Sequence, residues 1–233
     1  MIFLKHVFFD LDRTLWDFEQ NSRNALQKIY DQHDLSKHFD HLLHFHKVYH
    51  NINNDLWKKY GKGKISKDEL RIVRFKKTLE RVEVYDLAFA DKLNIDYVAT
   101  APKETILFPN TAETLIELKK RYQLHIITNG FEEAQFVKLK ASNLFDFFDV
   151  IVCSEMVGKT KPHRDIFNYA LSEAKATPQE SVMIGDDHTT DILGAIQVGM
   201  QAILFDPNEK YRKSAGQHKI KNLGELPYLL TTL

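Results

Sequence analysis

Cysteine is almost absent: Cys153 is the only one in 233 residues, so no disulfide can form within the chain. It stands in the apolar run Val150-Ile151-Val152-Cys153, which reads as a buried strand with nothing nearby to activate a thiol, so a small core residue is expected. Charge of one sign is also lacking. Lys plus Arg and Asp plus Glu number 32 each, for a formal net charge of zero. That balance removes the electrostatic case for nucleic acid or an acidic membrane surface as partner. No window approaches the roughly 20 consecutive apolar residues of a membrane span. The opening Met1-Ile2-Phe3-Leu4-Lys5-His6 lacks the basic segment and apolar stretch of a signal peptide, so the expected place is the cytoplasm. Internal repeats and low-complexity segments are missing too.

What is present is a set of five short, continuously apolar runs. They are His6–Phe9, Leu124–Ile127, Val150–Val152, Ser181–Ile184 and Gln201–Phe205. Continuous rather than alternating hydrophobicity is what a parallel strand covered on both faces requires. From Leu124 onward the runs alternate with helix-period stretches over Leu139 to Leu144, Ile166 to Leu171 and Ile192 to Val198. The expected fold is therefore α/β, a doubly wound parallel sheet.

The first run breaks that rhythm, because about a hundred mostly helical residues follow it. Leu26/Ile29/Tyr30 recur at helical steps, and so do Leu42, Leu43, Phe45, Val48, Tyr49, Ile52 and Leu56. Ser66 with Glu69 three residues on reads as a capping box, opening a helix through Leu70, Val73, Leu79 and Val82. A fourth helix is expected from Asp86 to Ala99, with Leu87, Ala90, Leu93 and Tyr97 on one face. Four such helices fit an antiparallel bundle. The expectation is an all-helical domain over residues 17–100, inserted into an α/β domain formed by 1–16 and 101–233.

In an open α/β sheet the site lies at the carboxyl ends of the strands. There the sequence places Asp10-Leu11-Asp12-Arg13-Thr14, then Thr128-Asn129-Gly130, then Lys159-Thr160-Lys161-Pro162, then Gly185-Asp186-Asp187 with Asp191 beyond. Asp10 and Asp12 alternate by two and would share a side if the strand continued. Like charges this close are costly unless a cation sits among them. Oxygen-only ligands point to Mg²⁺, an ion that commonly pairs with a phosphate. A carboxylate attacking phosphorus gives an acyl phosphate, and a second carboxyl can protonate the leaving alkoxide and later activate water. The Thr128 hydroxyl, the Asn129 backbone N–H and Lys161 supply donors and positive charge for the phosphoryl oxygens.

Asp10-x-Asp12-x-Thr14, the strand ending in Thr128, Lys161-Pro162 and Gly185-Asp186-x₄-Asp191 resemble, in order, the four motifs of the haloacid dehalogenase superfamily. The resemblance spans the chain and includes a helical cap between the first and second motifs. It implies a Rossmann-like core and a hydrolase acting on a small phosphomonoester. Asp10 would be the nucleophile and Asp12 the general acid/base, with Mg²⁺ held by Asp10, Asp186 and the Asp12 backbone carbonyl. Thr128 and Lys161 would bind phosphate, Lys161 also restraining Asp10, while Thr14, Asp187 and Asp191 would support the site. Lys159 is a rival to Lys161, but the family's lysine directly precedes the proline; Asp187 is a rival to Asp186 at the metal. Asp12 argues against dehalogenation, which has no leaving group to protonate. The finer pattern of Ile127-Thr128-Asn129-Gly130 and Ser154-Glu155-x₂-Gly158-x₂-Lys161-Pro162 is similar to the branch holding pyrimidine 5′-nucleotidases and N-acylneuraminate-9-phosphatase. It makes a nucleoside 5′-monophosphate the first substrate to consider, with a sugar phosphate or a mutase reaction as alternatives.

Other residues invite sharper readings than they carry. His38, His41, His44, His46 and His50 crowd one helical stretch, and His46/His50 has metal-ligand spacing. Without an acidic or cysteine partner completing a zinc motif, a solvated or partly packed face is expected. Trp16, Trp57 and Tyr60 could face substrate, with packing expected for at least two. Arg13 is open between a phosphate contact and an ion pair.

Overall fold

The computed structural model describes residues 4–211 and 218–233. The chain divides into two units, one of residues 1–18 and 105–233 and one of residues 19–104.

In the first unit, β1 (His6–Phe9), β2 (Gln123–Thr128), β3 (Val150–Cys153), β4 (Ser181–Gly185), β5 (Gln201–Phe205) and β6 (His218–Ile220) form one sheet. Its order is β3-β2-β1-β4-β5-β6, and every pairing is parallel. Alternation along the strands sends Val7, Phe9, Leu124, Ile126, Val182 and Ile184 into one apolar cluster and Phe8, Ile127, Val152 and Met183 into another. Burial on both faces explains the unbroken apolar runs. The short edge strand β6 carries only Ile220 as a buried residue, too little pattern to be read from sequence. Since β1 lies between β2 and β4, the strand order reverses beside it, and its carboxyl end opens onto the crevice where such sheets bind ligands.

In the second unit, α1 (Phe18–Gln32), α2 (Leu42–Gly61), α3 (Lys67–Glu80) and α4 (Leu87–Thr100) bury Ala25, Leu26, Ile29, Phe45, Tyr49, Phe75, Leu79, Ala90, Leu93 and Tyr97 together. The Ser66/Glu69 capping box is formed in full. Three details depart from expectation. Leu43 and Leu87, read as parts of apolar faces, are 64% and 63% exposed, while Leu42, Phe45 and Phe89 of the same first turns face the packed cluster. The third helix ends at Glu80, and Val82 packs from the turn after it. Among the described residues, no helix is long and apolar enough to cross a membrane.

Back in the α/β unit, the chain's exit and return are pinned together. Phe108 N donates to the Leu15 carbonyl and Asp17 N to the Ile106 carbonyl, at 2.9 and 3.0 Å. Three further helices matter for the site or its support: α5 (Thr111–Lys119), α6 (Glu132–Ala141) and α7 (Arg164–Glu173). The stretch Leu139 to Leu144, read as helical, is only the end of α6 and the turn after it. The segment His188–Leu193 winds as a wider π-type helix before a last turn at Gly194–Gln197.

Candidate active site

The ladder carries β1 one residue past Phe9, since Asp10 N donates to the Ile184 carbonyl at 2.9 Å. The chain then turns sharply, with Thr14, Leu15 and Trp16 all donating their N–H to the Leu11 carbonyl and Arg13 at a positive φ of 71°. Asp10 thus stays on the strand end while Asp12 lies on the turn.

The Lys161 side chain, 1% exposed, reaches the centre of this rim. Its ammonium donates to Asp10 Oδ1 at 2.6 Å, to Asp191 Oδ1 at 2.7 Å and to the Ile127 carbonyl at 2.7 Å. An ammonium has three protons, so all are engaged. Lys159 is exposed and takes no part. Asn129 fixes the lysine's backbone: its Oδ1 accepts from Lys161 N at 2.7 Å and its Nδ2 donates to the Lys161 carbonyl at 3.2 Å. From the sequence, only the Asn129 backbone N–H is expected to act. Thr14 Oγ1 donates weakly to Asp10 Oδ2 at 3.4 Å. The buried Thr128 hydroxyl accepts from Gly130 N at 3.1 Å, leaving its own proton to donate.

Carboxylate oxygens of Asp10, Asp186 and Asp191 all lie within 4.8 Å of one another. Gly185 makes this possible: a Cβ there would fall 2.3 Å from Asp191 Oδ2. Asp187 is turned to other work. Its Oδ1 accepts from Thr189 N and Thr190 N, both at 2.8 Å, capping the helical segment that carries Asp191. Asp191, expected only in support, contributes an oxygen to the cluster itself.

Burial pushes the Asp10 carboxyl up to about 7, although Lys161 pulls the other way. Burial, then Asp10 and Asp191, pushes Asp186 up to about 8. Asp191 is raised by burial against the same lysine. For Lys161, burial opposes the charged form, but Asp10 and Asp191 outweigh it and hold the ammonium above its ordinary value. Asp10 and Asp191 pair with the one buried ammonium, and Asp186 stands beside them. With all three acids ionised, Lys161 alone does not balance them, and an all-oxygen donor set with excess negative charge suits a divalent cation such as Mg²⁺.

Asp12 is held apart from this cluster. Lys138 Nζ on α6 lies 2.6 and 2.8 Å from its two oxygens, and Gln135 Nε2 is 3.1 Å from Oδ2. Neither residue belongs to any of the sequence motifs. The available signal was a Gln and a Lys three apart on a helix following the second motif. The Arg13 guanidinium stacks 4.2 Å from the Phe18 ring centroid and draws the Asp186 carboxyl downward. Trp16 is buried in the α/β core; Trp57 and Tyr60 are partly buried and meet edge to face. The histidines form no metal cluster among the described residues; His50 pairs with Glu19 at 2.8 Å. Cys153 is buried, and burial followed by nearby carboxylates pushes its thiol up to about 12, so it stays protonated.

A family description of haloacid dehalogenase-like hydrolases matches residues 4–199. The chain belongs to that family and is a hydrolytic enzyme. It is 31% identical over 228 residues to the pyrimidine 5′-nucleotidase YjjG of Escherichia coli, covering 96% of each chain. It is 32% identical over 226 residues to the glyceraldehyde 3-phosphate phosphatase of Methanothermobacter thermautotrophicus, covering 94% of this chain and 92% of that one. Among solved structures, the HAD-hydrolase YfnB of Bacillus subtilis, determined with magnesium bound, superposes with a TM-score of 0.87 at 26% identity over 98% of this chain and 99% of that one. The chain thus stands among phosphatases of the family.

Proposed function

We propose that the chain is a Mg²⁺-dependent phosphomonoesterase working through an aspartyl-phosphate on Asp10, with a nucleoside 5′-monophosphate as first-choice substrate. The observation that carries this reading is the division of labour at one strand end. Asp10 is buried and gripped by Lys161 among the clustered carboxylates, while Asp12 is held separately by α6. A nucleophile and an acid/base need such separate handling.

In the first step an Asp10 oxygen bonds to phosphorus as the bond to the leaving oxygen breaks, and the Asp12 carboxyl gives that oxygen its proton. In the second, water attacks the phosphorus and gives a proton to the Asp12 carboxylate, and Asp10 departs as carboxylate. Lys161 keeps Asp10 aimed and offsets its charge; the Thr128 hydroxyl and Asn129 N–H receive phosphoryl oxygens. Asp10, Asp186 and the Asp12 backbone carbonyl would hold Mg²⁺, with Asp191 and Thr14 supporting. Bound there, the ion neutralises carboxylates and phosphate so that an anion can attack an anion. We assign the helical unit the choice among leaving groups.

The full-length similarity to YjjG supports the nucleotide reading; that to the glyceraldehyde 3-phosphate phosphatase favours a sugar or triose phosphate as the second. Phosphate release from nucleotides, sugar phosphates and glyceraldehyde 3-phosphate, with Mg²⁺ and with EDTA, tests both. Activity is expected only with Mg²⁺, with kcat/KM highest for UMP or dTMP. A tenfold preference for a sugar or triose phosphate, or for an acylneuraminate 9-phosphate, would move the assignment to the second reading. Full activity in EDTA would sink the metal-dependent mechanism.

A further inference from the structure

We infer that Gln135 and Lys138 are positioning residues for Asp12, forming a clamp on α6 that selects which carboxylate oxygen exchanges a proton with the substrate. The inference rests on the phosphomonoesterase reading and goes beyond it, because no motif of the sequence singles out either residue.

The clamp is built rather than incidental. The two residues are three apart on α6 and so share a face. The Lys138 side chain is 8% exposed, and its ammonium lies 4.3 Å from the centroid of the Trp16 ring and 5.9 Å from that of Phe18. Aromatic walls and a bidentate hold on a carboxylate leave a lysine little freedom. Gln135 is buried, with its amide nitrogen on Asp12 and its Oε1 without a hydrogen-bond partner. An orphaned buried acceptor is costly, so its retention marks the contact on the other side of the amide as the one that matters. Gly130 completes the case. A Cβ there would lie 1.9 Å from Gln135 Nε2, so only glycine leaves the amide room to reach Asp12.

The donors also choose an oxygen. A carboxylate offers about four lone-pair sites, two on each oxygen. Lys138 takes one on Oδ1 and one on Oδ2, and Gln135 takes a second on Oδ2. The remaining site is on Oδ1, which makes Oδ1 the atom that trades a proton with the leaving group and then with water. Loss of the clamp lets the side chain rotate, and a misplacement of about 1 Å in a reacting group can cost around a hundredfold.

The experiment compares wild type, Asp12→Ala, Lys138→Met, Lys138→Arg and Gln135→Leu on an alkyl phosphate and on p-nitrophenyl phosphate, with rapid-quench measurement of phosphoenzyme formation. p-Nitrophenolate leaves without a proton, so only the alkyl ester needs Asp12 in that step. Lys138→Met is expected to lose about ten- to a hundredfold in the alkyl step and less than threefold with p-nitrophenyl phosphate. Its KM and Mg²⁺ affinity should stay within threefold of wild type, and Lys138→Arg should recover most of the loss. Gln135→Leu should show the same pattern at smaller size, and it carries the test if Lys138→Met does not fold. Equal losses on both substrates, no loss, or a change confined to KM would overturn the positioning role. Absence of wild-type phosphatase activity, or an Asp12→Ala variant without leaving-group dependence, would instead overturn the underlying reading.

Discussion

Both units bury charged side chains, and Arg74 in one and the clustered acids in the other are handled in opposite ways. In the helical unit, Arg74 donates through Nε and Nη2 to Asn94 Oδ1 at 3.1 and 2.8 Å and lies 4.8 Å from the Tyr97 ring centroid. The cation is met by a neutral amide and an aromatic face, and Ser22 pairs with Tyr97 nearby at 3.3 Å. In the α/β unit, the ends of β1 and β4 and the helical segment after β4 bring Asp10, Asp186 and Asp191 together, with Lys161 pairing two of them. Burial and mutual repulsion leave two of these acids with pKa values of about 7 and about 8. A buried polar group that is satisfied holds structure together. One placed in tension against its neighbours is a candidate place for chemistry.

The largest effect that tests this contrast is Asp10→Asn. The amide keeps the shape but cannot form an acyl phosphate, so turnover should fall below a few per cent of wild type. At the same time the metal-free protein should be at least as stable as wild type, since one repelling charge is gone. Denaturant unfolding in EDTA checks the second half. A clear loss of stability would mean that Asp10 is as well satisfied as Arg74, and the contrast would fail.

Arg74→Met probes the other side. Removing the guanidinium strips Asn94 Oδ1 of two charged donors and loses the contact with Tyr97, which should cost about 3 kcal/mol in unfolding free energy. No group at the strand-end rim changes, so Mg²⁺ affinity should be unaltered. A cost below about 1 kcal/mol would show that the helical unit holds this polar group no better than the rim holds its acids.

Much of this was legible in the residues. Five apolar runs announced the strands because parallel strands buried on both faces leave no alternation to disguise them. Asp10, Lys161 and Asp186 were legible because each directly follows, or is tied to, a strand end. Edge strand β6 was not, since three residues with one buried carry no pattern. The work of Asp187 as a cap and of Asp191 within the cluster depends on how the His188–Leu193 segment winds, which no spacing rule gives. Lys138 and Gln135 were invisible for a different reason. A lysine in a helix reads as solvated until the fold shows that it is covered and that an acid lies opposite.

The smallest effect concerns a buried polar pair in the α/β unit that lies away from the rim. His6 and His125 stand on neighbouring strands with Nδ1 and Nε2 3.1 Å apart, and the Phe8 ring centroid is 4.6 Å from that of His125. Burial, then the neighbouring His6, pushes His125 down to about 3, and burial lowers His6 as well. If burial alone marked chemistry, this pair would be a candidate site; if tension does, it is structural, a neutral pair sharing one proton. The unfolded chain takes up a proton at His125 near pH 6.5, whereas the folded chain resists until far lower. Its contribution is therefore intact above pH 6.5 and lost as pH falls from there toward 3. At about 1.4 kcal/mol per pH unit, His125 alone accounts for about 2 kcal/mol between pH 7 and pH 5. The rim acids, with folded values raised, gain stability over the same descent, so the total would mask the effect. The difference between wild type and His125→Val isolates it. Unfolding free energies at pH 7 and pH 5 should show the variant gaining about 2 kcal/mol on wild type as pH falls, with phosphatase activity retained at pH 7. A pH-independent difference would mean that the folded chain protonates His125 as readily as the unfolded one. A loss of activity at pH 7 would place the pair in the site's working set after all.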